Sequence, residues 1–198
     1  MINVFYSRIP DYIDESIIPS LSEYRQKRMQ SITNEFTRRE SICAELLLEK
    51  AVYPQFQRPL PILTGQFGKP FFSDDGFHFS LSHSCGWVAC AVGSKPLGLD
   101  IQALKKCDIR LSDRFFAKDE CAYIESAKEP DSAFIEVWAK KESRVKAAGR
   151  GINQGLSAFS VFDSPNEYSY FVVDNMHFAL CVPGEKTHEI NIIETKLL

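Results

Sequence analysis

Three apolar runs follow one another between residues 77 and 102: FHFSLSH, GWVACAVG and PLGLDIQ. Short runs of this kind, bounded by turn formers such as Asp74-Asp75-Gly76, read as strands. The middle of the 198-residue chain is therefore β-rich, and helices must lie on either side of it. Before it, Val4 and Tyr6 alternate against Phe5 in a first strand. Residues 21–32 then have helical spacing and a basic face. Asn34 is placed to cap a longer helix through Ala44, Leu47, Leu48 and Ala51, which Pro54, Pro59 and Pro61 end. After it, residues 109–127 and 131–148 read as helices. Gly149-Arg150-Gly151 stops the second of these. Four strand-like segments follow: SAFSVF, YSYFVV, HFALCV and EINIIE. Each half thus runs from helices into strands. The fold class is α+β, with an N-terminal lobe over residues 1–102 and a C-terminal lobe over residues 103–198.

The bulk properties exclude several classes. No run of about 18 apolar residues is present, so no transmembrane helix is expected. The N-terminus lacks the basic-then-apolar pattern of a secretory signal. Six cysteines form no C-x-x-C pair and sit mostly in apolar contexts, the usage of a reduced cytoplasmic protein. A net charge of −3 argues against nucleic acid as a partner. Positive charge is nonetheless concentrated at Arg25, Lys27, Arg28, Arg38 and Arg39.

Four patterns carry chemistry. In Gly98-Leu99-Asp100-Ile101-Gln102, strand alternation puts Asp100 and Gln102 on one face and Leu99 and Ile101 in the core. In the stretch from Trp138 to Gly149, helical spacing aligns Trp138, Glu142 and Lys146. Alone, that Glu–Lys pair reads as a surface ion pair, but its stripe also carries Trp138 and Val145. In Ser80-Leu81-Ser82-His83-Ser84, the three serines share a face suited to phosphate oxygens and His83 takes the other. In Gly68-Lys69-Pro70, a turn places a cation. Each pattern alone is also consistent with an ordinary paired or solvated side chain.

In this order the patterns resemble the Sfp-type 4′-phosphopantetheinyl transferases. That family shows GKP, a strand ending in S-H-S, G-(I/V/L)-D-(I/V)-E, R-F-F-(S/A)-x-x-E and W-x-x-K-E-(S/A)-x-x-K-x-x-G-x-G. The corresponding residues run from Gly68 to Gly151 and include Arg114-Phe115-Phe116-Ala117-Lys118-Asp119-Glu120. The resemblance implies two similar α+β lobes in a pseudo-two-fold arrangement, with the active site in the cleft between them. It implies magnesium-dependent transfer of the 4′-phosphopantetheine group from coenzyme A to a serine of an apo carrier protein, releasing adenosine 3′,5′-bisphosphate. By this match Asp100, Glu142 and Gln102 hold Mg2+, Glu142 and Lys146 act with Asp100 in catalysis, and Lys69, Ser82, His83, Arg25 and Arg28 contact coenzyme A. A carrier would dock on Lys105, Lys106, Arg110 and Arg114 beside Leu111 and Phe115. A cytoplasmic monomer is expected. Gln102 departs from the family's glutamate and leaves the third metal ligand open. The competing readings are another magnesium-dependent phosphotransfer enzyme and an idle relative that only binds coenzyme A or a carrier.

Overall fold

The computed structural model describes residues 1–56, 61–73, 76–149, 155–185 and 189–197. Asp74, Asp75, Pro59, Arg150 and Gly151, named above as turn or helix-stop residues, lie outside them. β1 (Ile2–Arg8), β4 (His78–Ser84), β5 (Trp87–Gly93) and β9 (Ile190–Glu194) form one sheet in the order β4-β5-β1-β9. β6 (Gly98–Ala103), β7 (Tyr168–Val173) and β8 (Met176–Cys181) form a second, antiparallel sheet in the order β6-β8-β7. A short hairpin, β2 (Ile62–Thr64) with β3 (Pro70–Phe72), forms a separate two-stranded sheet whose Phe72 packs into the core beside Phe79.

Both faces of the first sheet are apolar, and the alternation in β1 explains how. Phe5 joins the core under α2 (Glu35–Phe56), with Leu47, Leu48, Phe79 and Cys90. Val4 and Tyr6 point the other way and meet Leu99, Ile101, Phe178 and Leu180 of the second sheet. The far face of the second sheet carries Asp100 and Gln102 and packs under α5 (Pro130–Ala148). The layers are therefore helix, sheet, sheet, helix. Full burial of each Leu or Phe in these layers contributes about 1.5–3 kcal/mol. Asn34 caps α2 as expected, its Oδ1 accepting from the Thr37 N–H at 3.0 Å.

The structure departs from the sequence reading in several places. A division at residue 102 runs through β6, which belongs to the second sheet because its apolar face is buried against β8 and the first sheet. The last strand, β9, returns to the first sheet and pairs parallel to β1. α2 continues through Pro54 to Phe56, since the fixed φ of proline is itself helical. The helix expected over 109–127 breaks at Phe116, which is extended (φ −113°, ψ 160°) and packs its ring near Ile124, Phe134 and Val137. The chain resumes as α4 (Lys118–Ser126), after the short α3 (Ser112–Phe115).

SAFSVF is not a strand, and the reason is a buried ion pair. Lys141 and Glu120 are both fully buried, 2.8 Å apart. Lys141 Nζ also donates to the carbonyls of Leu156 and Phe159, at 2.7 and 2.6 Å. Glu120 accepts from the N–H groups of Ala117 and Val161, at 2.7 and 2.8 Å. Side chains thus satisfy the backbone that a sheet would otherwise satisfy. Removing one partner strands the other charge in the interior. Lys141→Ala is expected to cost about 3–5 kcal/mol in a urea unfolding titration. A loss under about 1 kcal/mol would mean that the pair does not organise this segment.

Candidate active site

The site begins at Gly98, where α5 crosses β6. A Cβ there would lie 1.9 Å from the Ser143 carbonyl oxygen and 2.3 Å from the Ala147 nitrogen. Only glycine permits so close an approach. The crossing brings Glu142 and Lys146, one helical turn apart, over the Asp100 side of the strand.

Asp100 is 3% exposed and both of its oxygens are engaged. Lys146 Nζ is 2.7 Å from Oδ1, Ser82 Oγ donates to Oδ1 at 2.9 Å, and Gln102 Nε2 donates to Oδ2 at 2.8 Å. Lys146 also donates to Ser82 Oγ at 2.9 Å. Glu142 is different. Among the described residues no donor is hydrogen-bonded to its carboxylate. Burial first, and the Asp100 carboxylate second, push its pKa above the ordinary carboxylate value, and Lys146 opposes them.

Glu142 and Lys146 form one end of a cleft of about 330 Å3, a volume suited to a small molecule. Arg25, Arg28, Lys69 and His83 line the rest, beside Phe67, Phe79, Leu81 and Val145. Four lysine or arginine side chains face one carboxylate there, so the cleft selects anions although the whole chain is acidic.

Arg25, His83 and Lys69 are each held in place by neighbours. Arg25 is buried, with Nε 3.0 Å from Glu45 Oε2 and Nη1 donating to Ser41 Oγ at 2.9 Å. Glu45 also accepts from the backbone and hydroxyl of Ser22, which caps α1 (Glu23–Met29). His83 Nδ1 is 3.2 Å from Glu40 Oε1. Lys69 follows Gly68, whose φ of 84° makes the turn. Its Nζ donates to the carbonyls of Leu97 and Ala147, at 3.2 and 3.3 Å. Burial pulls its pKa down to about 8.

A profile of the 4′-phosphopantetheinyl transferase superfamily matches residues 96–189. The chain is 31% identical over 168 residues to 4′-phosphopantetheinyl transferase gsp of Aneurinibacillus migulanus, covering 80% of this chain and 70% of that one. The chain belongs to the 4′-phosphopantetheinyl transferase family. It is also 32% identical to 4′-phosphopantetheinyl transferase AcpT of Salmonella typhimurium over 150 residues, 72% of this chain and 75% of the relative. Among solved structures, holo-[acyl-carrier-protein] synthase (AcpS) of Thermotoga maritima is similar over 44% of this chain and 61% of that one, at 15% identity and a TM-score of 0.31.

In this family member the expected residues converge in two groups. Asp100, Gln102, Glu142 and Lys146 are one, and Arg25, Arg28, Lys69 and His83 share the cleft with Glu142 and Lys146. The Ser82 hydroxyl is buried and spent on Asp100, Lys146 and the Ile101 N–H rather than turned to the cleft. Lys27, the other basic residue named on α1, does not line the cleft. Glu40, Glu45 and Ser41 were missed, because their contacts join residues 16 to 43 positions apart. Phe67, which also lines the cleft, could have been found from its place beside the Gly68-Lys69-Pro70 turn. Among the described residues no group of three or more His, Cys, Asp or Glu could hold a metal. Two carboxylates with an amide are nonetheless a hard-oxygen set that fits a magnesium ion, which keeps waters and shares substrate phosphates.

Proposed function

We propose that the chain transfers the 4′-phosphopantetheine group of coenzyme A to a serine of an apo carrier protein, with Mg2+ and with adenosine 3′,5′-bisphosphate as the second product. The observation that carries this reading is that Glu142 and Lys146, the latter 2.7 Å from the buried Asp100, line a cleft shared with Arg25, Arg28 and Lys69. Arg25, Arg28, Lys69 and His83 would hold the phosphates of coenzyme A, and Phe67, Phe79 and Leu81 would take its apolar surface. Asp100 and Glu142, with the Gln102 amide, would hold the metal, which supplies charge neutralisation at the phosphate oxygens when bound. Lys146 adds fixed positive charge where the leaving phosphate develops its own. Glu142 accepts the proton of the carrier serine as its general base.

The carrier is proposed to dock on the C-terminal half. Leu104 and Leu111 are exposed there, as are Lys105, Lys106, Arg114 and the Asp108-paired Arg110 beside them in the sequence. An acidic helix of the partner would be steered by that charge. Phe115 is not a free anchor, since it packs edge-on against Trp138 at 5.8 Å. No helix among the described residues is long and apolar enough to cross a membrane. All six cysteines are unpaired, which supports a cytoplasmic setting, and the cleft is built within one chain, which supports a monomer. Adenosine 3′,5′-bisphosphate should form only when coenzyme A and an apo carrier are both present. Its release without a carrier would point to a hydrolase instead.

Lys69 adds a pH signature. In the free protein burial holds its pKa at about 8. A phosphate beside it favours the charged form and raises that pKa. Coenzyme A binding should therefore take up a proton at pH values above about 8, and affinity should fall as pH rises through that range. Calorimetry in buffers of different ionisation heat measures the uptake. Lys69→Arg should abolish it. Uptake unchanged in that variant would remove Lys69 from the binding site.

A further inference from the structure

The serine face of β4 was read as a set of phosphate donors. Its hydroxyls instead bind another strand. Leu99 N–H donates to Ser80 Oγ at 2.9 Å, Ile101 N–H to Ser82 Oγ at 3.1 Å, and Ala103 N–H to Ser84 Oγ at 3.3 Å. β6 is an edge strand, bonded to β8 on one side. On its other edge the serine hydroxyls take the place that carbonyls of a neighbouring strand would fill. The separation is 19 residues at every rung, so β4 and β6 run side by side in the same direction.

We propose that Ser80 and Ser84 are positioning residues which, with Ser82, fix the register between the cleft wall on β4 and the strand that carries Asp100 and Gln102. The pattern allows one register. A slip of one residue would offer Leu81 and His83 to the β6 amides, and neither side chain lies on that face. A slip of two would leave one buried N–H without a partner, and such orphans are costly. The central rung is saturated. The Ser82 hydroxyl accepts from Ile101 N–H and Lys146 Nζ while donating to Asp100 Oδ1, which uses its one hydrogen and both lone pairs. It therefore holds Asp100 and Lys146 in place only while the strands stay aligned, and the outer rungs keep them so. Ser84 lies outside the cleft, so its effect on chemistry must act through Gln102 and Asp100.

Ser84→Thr and Ser84→Val test this. The two side chains have the same shape and β preference, and only threonine keeps the hydroxyl. In Ser84→Val the Ala103 amide should exchange at least tenfold faster in hydrogen exchange on the free chain, with Leu99 changed less. Ser84→Thr should stay near wild type. Ser80→Val should show the reverse, with Leu99 affected most. The kinetic arm rests on the transferase reading: Ser84→Val should lower kcat about five- to tenfold with KM for coenzyme A within about twofold, and Ser84→Thr should restore it. Unchanged Ala103 exchange in Ser84→Val overturns the ladder. Faster exchange with unchanged kcat per folded molecule reduces it to a structural seam. If Ser84→Val does not fold, the Leu99 amide in Ser80→Val decides, and unchanged exchange there overturns the proposal. If the wild type modifies no carrier, the transferase reading fails on its own, and the exchange data still judge the ladder.

Discussion

Glu142→Gln is expected to lower kcat and kcat/KM together by about a hundredfold or more while leaving the protein at least as stable as before. The loss follows from two proposed roles, a metal-binding charge and the base for the carrier serine. Removal of such a group costs on the order of 10² or more in rate, and loss of an interaction made in the transition state lowers both constants. Stability moves the other way. Among the described residues no donor is hydrogen-bonded to the Glu142 carboxylate. Its raised pKa means that the fold disfavours its charge at neutral pH, through burial and Asp100. The amide removes that charge, so the melting temperature should hold or rise, as at other sites where function costs stability. Thermal unfolding and steady-state kinetics on the same preparation check both halves. Near-normal turnover would remove Glu142 from the chemistry, and a marked fall in melting temperature would make its role structural.

Gly98→Ala should be the most damaging change of a single methyl group. The added Cβ would meet backbone atoms of α5, 1.9 Å from the Ser143 oxygen and 2.3 Å from the Ala147 nitrogen. No side-chain rotation relieves that contact, so α5 must lift from β6 and carry Glu142 and Lys146 away from Asp100. Overpacking of a core typically costs 1–3 kcal/mol, and a backbone clash belongs at about 3 kcal/mol or more. Activity should fall further than the folded fraction accounts for, because the Lys146–Asp100 contact at 2.7 Å is lost with the crossing. Urea unfolding gives the first quantity, and turnover per folded molecule gives the second. A variant within about 0.5 kcal/mol of wild type and fully active would contradict this account of the crossing.

The parts of the fold that follow local rules were legible in the sequence. Strand alternation put Asp100 and Gln102 on one face, and they are hydrogen-bonded to each other. Helical spacing put Glu142 and Lys146 on one stripe, and Gly149 ends α5 in the left-handed region at φ 64°. The failures share a cause. SAFSVF has strand composition, but backbone groups of Phe159 and Val161 within it are taken by Lys141 and Glu120, which lie 18 and 41 positions away in sequence. The serine face was identified correctly and its partner was not, because nothing in FHFSLSH names the strand that will lie beside it. Glu45 has the look of an ordinary helical acid until Arg25 is seen against it. β9 is a strand by pattern, and its return to β1 across the chain is a tertiary choice.

The central claim is the transfer itself. Intact-mass measurement of an apo carrier protein incubated with this chain, coenzyme A and Mg2+ tests it directly. The account predicts a gain of one phosphopantetheine arm on the carrier serine, absent when that serine is replaced and lost with Glu142→Gln. A carrier whose mass does not change across several carrier types, with the protein folded and coenzyme A bound, would contradict it.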